Sequence, residues 1–162
     1  LHMNKVIVIT GTPGVGKTTL AKWLVKKLSW EKIDLHDYYS EISNSFDKKK
    51  DCYDINLKKL ANIVRKKRKS NNLIIDSHIV HLFPKSLIDV CIVLTCSNLK
   101  KLEKRLKKRK YSIKKIRENL DSEIFQVCLM EAKEKQSLVL TYDCGKKLAK
   151  RKILTDLQTR DL

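Results

Sequence analysis

Residues 11–19, Gly-Thr-Pro-Gly-Val-Gly-Lys-Thr-Thr, have a composition and spacing suited to holding phosphate. Gly11, Thr12, Pro13, Gly14, Val15, Gly16, Lys17 and Thr18 satisfy G-x-x-x-x-G-K-[ST] at every fixed position. Glycines let the backbone wrap an anion, so that loop N–H groups turn inward. A helix opening at Lys17 adds the positive end of its dipole. The Lys17 ammonium would reach the outer phosphates of a nucleoside triphosphate, and the Thr18 hydroxyl would ligate Mg²⁺. A bare glycine turn with the same letters would bind nothing. The strand before the loop and the amphipathic helix after it favour nucleotide binding.

A second constellation lies further along the chain. Asp76 ends the apolar run Leu73-Ile74-Ile75. A carboxylate there can hold Mg²⁺ directly or through water, or merely cap the next turn; the strand leading straight into it favours the metal. His78 follows two residues later, although a lone loop histidine is more often structural than catalytic. Arg105 and Arg109 stand four apart, so they share a helical face and can grip one anion. Arginines on a closing element neutralise charge on a transferring phosphoryl group; the plainer reading places both on a solvated basic face.

These residues need elements to position them. Val6–Thr10 reads as a buried strand, and Lys17–Leu28 as a helix with Leu20, Leu24 and Leu28 on one face. Lys32–Leu35 predicts a second strand. Between His36 and Lys50, Tyr38, Tyr39, Ile42 and Phe46 give partial helical spacing. Ile55–Arg68 predicts an amphipathic helix with Leu57, Leu60, Ala61 and Val64 inward. Strands at Leu73–Asp76 and Asp89–Thr95 flank a connection at His78–Leu87. Ser97 or Asn98 caps the next helix, with Leu99, Leu102 and Leu106 inward. That helix stops near Lys110-Tyr111, and Ser112 caps a longer one burying Ile113, Ile116, Leu120, Ile124, Val127 and Cys128. A fifth strand at Leu138–Thr141 and a basic helix from Lys146 complete an α/β alternation. The expected fold is a P-loop NTPase with a five-stranded parallel sheet covered on both faces.

The 162 residues suit a single domain, 3–162, with Leu1-His2 read as an expression remnant. No apolar run approaches the roughly 20 residues of a membrane span, so no membrane association is expected. Five cysteines without a C-x-x-C pair suggest reduced thiols and a cytoplasmic location, or a nuclear one in a eukaryote. The charge is unusual: 36 Lys+Arg against 18 Asp+Glu, a net charge of +18. Lys100–Arg117 alone holds eleven basic residues and one acidic, Glu103. Such a surface can simply be solvated, as in many thermophile proteins, but those usually carry matching Glu. The imbalance points instead to a polyanionic partner such as RNA or the ribosome.

From about Val6 to Ala132 the chain resembles the nuclear-type adenylate kinases, the adenylate kinase isoenzyme 6 or coilin-interacting nuclear ATPase family, with its archaeal and yeast ribosome-assembly relatives. Residues 11–19, through Thr19, are similar to the family's P-loop. Asp76-Ser77-His78 matches its D-x-H, with Phe83-Pro84 following. Arg105-Leu106, Arg109, Tyr111, Lys115, Glu118-Asn119 and Glu123-Ile124-Phe125-Gln126-Val127 resemble its lid and the helix after it. The resemblance implies an adenylate-kinase-like fold, a nucleoside-monophosphate arm near 34–55 and a short lid near 108–118. It implies ATP and Mg²⁺, with Lys17, Asp76, His78, Arg105 and Arg109 catalytic and residues 11–19 and Arg109 holding nucleotide. It also implies adenylate kinase or ATPase activity, and maturation of the small ribosomal subunit through a ribosomal protein, with rRNA as a further partner. An ATP-switched assembly factor that never uses AMP is the alternative; a kinase for another small acceptor is a third reading. The chain departs from the family twice. Lys110 stands where Gly is usual, which predicts a stiffer lid joint. Ser40 falls about where the arm carries Arg, and Ile33–Asn56 holds no Arg, leaving Lys48-Lys49-Lys50 or His36, His78 and His81 to meet an AMP phosphate. The adenine side is sought at Tyr142, Asp143 and Cys144.

Overall fold

The computed structural model describes residues 3–49 and 52–162. Strand β1 (Val6–Thr10) ends at the glycine loop, and helix α1 (Lys17–Leu28) follows it. Strand β2 (Glu31–Ile33) leads through a tight turn at Leu35–Tyr38 to the short helix α2 (Tyr39–Ile42). A hairpin of β3 (Ser43–Asp47) and β4 (Cys52–Ile55) precedes helix α3 (Leu57–Arg68) and strand β5 (Leu73–Asp76). Then come β6 (Val90–Thr95), α4 (Leu99–Lys108), α5 (Ile113–Ile124), α6 (Val127–Lys135), β7 (Val139–Asp143) and α7 (Lys150–Gln158).

The main sheet has five strands in the order β2-β5-β1-β6-β7, and every neighbouring pair is parallel. Both faces are covered, which is why Val6–Ile9, Leu73–Ile75 and Val90–Leu94 are buried without alternation. On one face Ile7, Ile9, Ile74 and Ile92 pack with Leu20 and Leu24 of α1, Leu102 and Leu106 of α4, and Ile153 and Leu157 of α7. On the other, Val6, Val8, Ile75 and Val93 meet Leu60 and Val64 of α3 and Leu129 and Ala132 of α6. Burying a Leu or Ile side chain contributes about 1.5–3 kcal/mol, so this double layer is the main source of stability. It also fixes the loop, because Gly11 leaves no room for a side chain: a Cβ there would lie 2.5 Å from the Leu94 carbonyl oxygen.

Several expected elements differ from those observed. The region after β2 is not one helix. Asp34 accepts a hydrogen bond from His36 N at 3.0 Å and starts a turn, and Phe46 lies in the hairpin, 47% exposed. Lys50 lies outside the described residues. Helix α3 starts at Leu57 rather than Ile55, because Asn56 caps it by accepting from Lys59 N at 3.1 Å. Asn98, not Ser97, caps α4, and Leu99 is 36% exposed. The long helix expected after Ser112 is two helices, broken where Gln126 takes φ 52°. Ile113, Ile124 and Val127 are consequently exposed, and only Ile116 of the apolar residues expected on α5 is buried. The reason is topological: Ile116 packs on one face of the sheet and Leu129 on the other, which a single straight helix cannot reach. The last helix begins at Lys150, four residues later than expected.

The joint between α4 and α5 turns at Lys110, which takes φ 57° and donates its N–H to the Lys107 carbonyl at 2.9 Å. Glycine adopts this left-handed conformation without the Cβ penalty of about 1–2 kcal/mol. Lys110→Gly should therefore raise stability by ~1 kcal/mol in urea denaturation. A loss of stability would mean that the lysine stem contributes more than its backbone strain costs.

Candidate active site

The fold delivers the sequence-predicted residues to the carboxyl edge of the sheet, where ligands of open α/β sheets bind. The glycine loop leaves β1 there, and Gly16 takes φ 97° with open space where a Cβ would project. No side chain caps α1 at its amino end, and no acidic residue occupies its first turn. The orphan N–H groups and the dipole therefore favour an anion at this concave loop. Pro13 forms part of the turn, while Val15 is buried in the core and contributes only its backbone. Lys17 folds back over the loop, donating to the carbonyls of Gly11 at 2.7 Å and Thr12 at 3.0 Å.

Lys17 sits at the electrostatic centre of the group. Burial, aided by the charge of Arg109, lowers its pKa to about 8, while Cys128, Asp76 and Glu123 pull the other way. His78 keeps contact with solvent. Its imidazole is nonetheless lowered to about 4 by the protein packed around it and by the charges of Lys17, His81 and Lys115, so it is neutral at pH 7. Lys115 comes from α5, with its ammonium 4.2 Å from the centre of the Tyr111 ring.

Thr18 and Asp76 are in direct contact: the Thr18 hydroxyl donates to Asp76 Oδ2 at 2.7 Å. Two hard oxygen donors at the rim of a phosphate loop fit Mg²⁺, whose remaining ligands would come from water and phosphate. Among the described residues no group of three or more His, Cys, Asp or Glu is placed to hold a metal by itself, so a phosphate-dependent ion suits the donor set better than a closed site.

On the far side of the loop a cavity of about 520 Å³ is lined by Gly14, Gly16, Thr19, Arg105, Arg109 and Cys144, with further lysines at its rim. Arg105 donates to the Gly14 carbonyl at 3.1 Å and to Cys144 Sγ at 3.8 Å, so it braces the loop, while Arg109 is exposed. Of the three residues sought for adenine, only Cys144 lines this cavity. Tyr142 donates to Asp156 Oδ2 at 2.6 Å, and Asp143 accepts from Ser97 N and Gly145 N. His81 is excluded as a phosphate contact, because it is buried with both ring nitrogens engaged, to Thr10 Oγ1 at 2.6 Å and Glu131 Oε2 at 2.9 Å. His36 bonds its neighbour Asp34 at 2.9 Å.

Two further residues at the site have contacts that sequence reasoning did not assign. Glu123 is buried and accepts from Thr12 Oγ1 and Cys96 N, each at 2.7 Å. Lys32, from β2, places its ammonium 3.4 Å from Asp76 Oδ1. The resemblance singled out Glu123 as a letter of a pattern; only the topology shows what it touches.

A family model described as an AAA domain matches residues 7–126. The chain is 41% identical over 130 residues to the adenylate kinase isoenzyme 6 homolog of Schizosaccharomyces pombe, covering 79% of this chain and 74% of that one. It belongs to the adenylate kinase isoenzyme 6 family. The homolog of Caenorhabditis elegans is 36% identical over 135 residues, covering 81% of this chain and 74% of its own length. A provisionally named adenylate kinase of Pyrococcus furiosus is 39% identical over 138 residues, covering 85% and 74%. Among solved structures, a deoxyadenosine kinase from M. mycoides with bound dATP superposes with a TM-score of 0.61 at 18% identity, over 97% of this chain and all of that one. That likeness establishes the P-loop kinase fold, and family membership makes the chain a kinase-type phosphotransferase.

A Lys17 lowered to about 8 gives a measurable signature. Triphosphate next to the ammonium restores its preference for the proton, so nucleotide binding at pH 8.5–9 should be accompanied by proton uptake. Calorimetric titration with ATP in buffers of different ionisation enthalpy should show that uptake at pH 9, little of it at pH 7, and none in Lys17→Met. Equal proton counts at both pH values in the unaltered protein would contradict the placement of Lys17.

Proposed function

We propose that the protein is an ATP:AMP phosphotransferase that also hydrolyses ATP and serves maturation of the small ribosomal subunit, with Mg²⁺ as its metal. The observation that carries the catalytic part is the gathering of Lys17, Arg109, His78 and the Thr18–Asp76 pair around one empty-walled loop.

In-line transfer between two phosphates demands that two anions approach, and the phosphate of a nucleoside monophosphate is itself an adequate nucleophile. The protein's task is then orientation and charge neutralisation rather than proton abstraction. The loop N–H groups and Lys17 hold the β- and γ-phosphates. Arg109, exposed on the α4–α5 joint, swings onto the transferring group as 108–118 closes. Lys115, beside His78, supplies the cation that the arginine-free arm lacks, with Lys48 and Lys49 of the hairpin further out. Neutral His78 can accept a hydrogen bond from a water and so orient it when no acceptor is present, which supports hydrolysis by the same site. Thr18 and Asp76 would hold Mg²⁺, which supplies Lewis-acid neutralisation of the phosphate oxygens.

A second reading, an ATP-switched assembly factor that does not use AMP, is favoured by the missing arm arginine and by the basic α4–α5 surface. Turnover of ATP with and without AMP, with ADP and inorganic phosphate quantified separately, decides between them. ADP formation that rises with AMP well beyond the inorganic phosphate released supports the kinase; phosphate release indifferent to AMP, with no extra ADP, supports the switch. Lys17→Ala should lose on the order of 10²-fold in turnover, and Arg109→Ala should lower kcat more than it raises the KM for ATP. Unchanged turnover in Lys17→Ala would defeat both readings.

The ribosomal role rests on charge. Lys100–Arg117 carries far more positive charge than one triphosphate needs. Affinity for small-subunit rRNA should therefore fall linearly on a log–log plot against salt, with a slope of roughly −0.7 per contact for single strands. Charge reversal at exposed Lys100, Lys104 and Lys107 should flatten the slope and spare basal turnover. No binding to rRNA or to small-subunit ribosomal protein at low salt would remove this part of the proposal.

A further inference from the structure

Asp76 is already paired. Oδ2 accepts the Thr18 hydroxyl at 2.7 Å, and Oδ1 faces the Lys32 ammonium at 3.4 Å. Lys32 lies opposite Ile74 in the β2–β5 register, two residues short of Asp76 and on the same face of the sheet. Its stem therefore runs up the edge of the sheet on the α1 side and ends at the carboxylate. Both partners are largely shielded, with side chains 19% and 9% exposed, whereas the other Lys–Asp and Lys–Glu pairs among the described residues are more open. Shielding raises the strength of the attraction above that of a surface pair and makes the loss of either charge expensive.

A divalent ion at Thr18 and Asp76 would meet this ammonium. Holding both would set three positive charges against one carboxylate, with Lys17 also within electrostatic reach of Asp76. We infer that Lys32 is a resident counter-cation of the metal carboxylate: it occupies Asp76 in the metal-free protein, must yield when the divalent ion enters, and so sets the affinity of the metal–nucleotide complex. Lys32 is thus a positioning residue. It holds Asp76 aimed at Thr18 until the metal arrives, and it lowers metal affinity in return. The inference rests on the reading of Thr18 and Asp76 as the metal side of the phosphate loop, and does not require AMP to be the acceptor.

The test is a Mn²⁺ titration of the full chain with a non-hydrolysable ATP analogue, followed by the electron paramagnetic resonance signal of free Mn²⁺. Lys32→Met keeps the apolar stem and removes the charge. It should bind Mn²⁺ about tenfold more tightly, the equivalent of one pK unit of charge–charge interaction. Lys32→Arg should match or fall below the unaltered protein, and Asp76→Asn should bind weakly whatever stands at position 32. Circular dichroism checks that each variant is folded; Lys32→Gln serves if Lys32→Met is not. Mn²⁺ affinity unchanged or weakened in the neutral variants would overturn the inference, as would an Asp76→Asn protein that binds Mn²⁺ normally. The kinase reading is tested independently by AMP-dependent ADP formation. Its failure alongside a tightened Mn²⁺ affinity would leave Lys32 in its role.

Discussion

A buried carboxylate on α5 determines how the upper half of the molecule is assembled. Glu123 spends one oxygen on the Thr12 hydroxyl and the other on the Cys96 N–H. A buried charge left without partners is costly enough that the structure must supply them. Here the suppliers are the phosphate loop and the end of β6, so α5 is locked in one register above the loop. Everything beyond α5 follows from that lock. The Lys110 joint brings the chain to it, and the Gln126 break lets the chain leave it for the opposite face of the sheet. Lys17 then works in the field of a fixed anion, which offsets part of the cost of holding an ammonium in the loop.

A second polar network performs the same service for the connection after β5. His81 joins Thr10 at the end of β1 to Glu131 on α6, while Gln136 Nε2 donates to the carbonyls of His81 and Phe83, both at 2.7 Å. Between them these bonds pin residues 77–88 across the end of β1. The His78 backbone is held in turn by Cys128, whose Sγ lies 3.9 Å from the His78 carbonyl oxygen. The Gln136 amide commits its donors to the His81 and Phe83 carbonyls while its own Oε1 is buried without a partner among the described residues, and the bonds it makes select one arrangement of loops that apolar packing alone would leave degenerate.

What could be read from the chain divides along a physical line. Buried parallel strands announce themselves as unbroken β-branched runs, and the phosphate loop is local in sequence, so β1, α1, β5 and the residues 11–18 were legible. The position of Asp76 at a strand end was legible because strand and carboxylate are contiguous. Illegible were the features settled by tertiary contact. Ile113, Ile124 and Val127 have helical spacing, yet Glu123 takes the inward position, because α5 meets a polar loop rather than an apolar sheet at that level. Ser43–Asp47 carries only one large apolar residue, Phe46, and offers no alternation to distinguish a strand from a helix. Lys32 reads as one of many surface lysines until the β2–β5 register lifts it beneath Asp76. Tyr142 and Asp143, plausible by position for a base, are committed to Asp156 and Ser97 by contacts separated far along the chain.

The short strand that carries Lys32 has a further consequence. β2 is an edge of the main sheet, and an edge with free backbone groups can recruit a strand from another molecule. Three residues is too short a template for that, and two of them are charged. Glu31 is also held by Lys67 and Asn71, both at 2.6 Å, so its side chain stands guard over the flank. The element that brings Lys32 to Asp76 is thereby also a barrier to strand-by-strand self-association along this edge of the sheet.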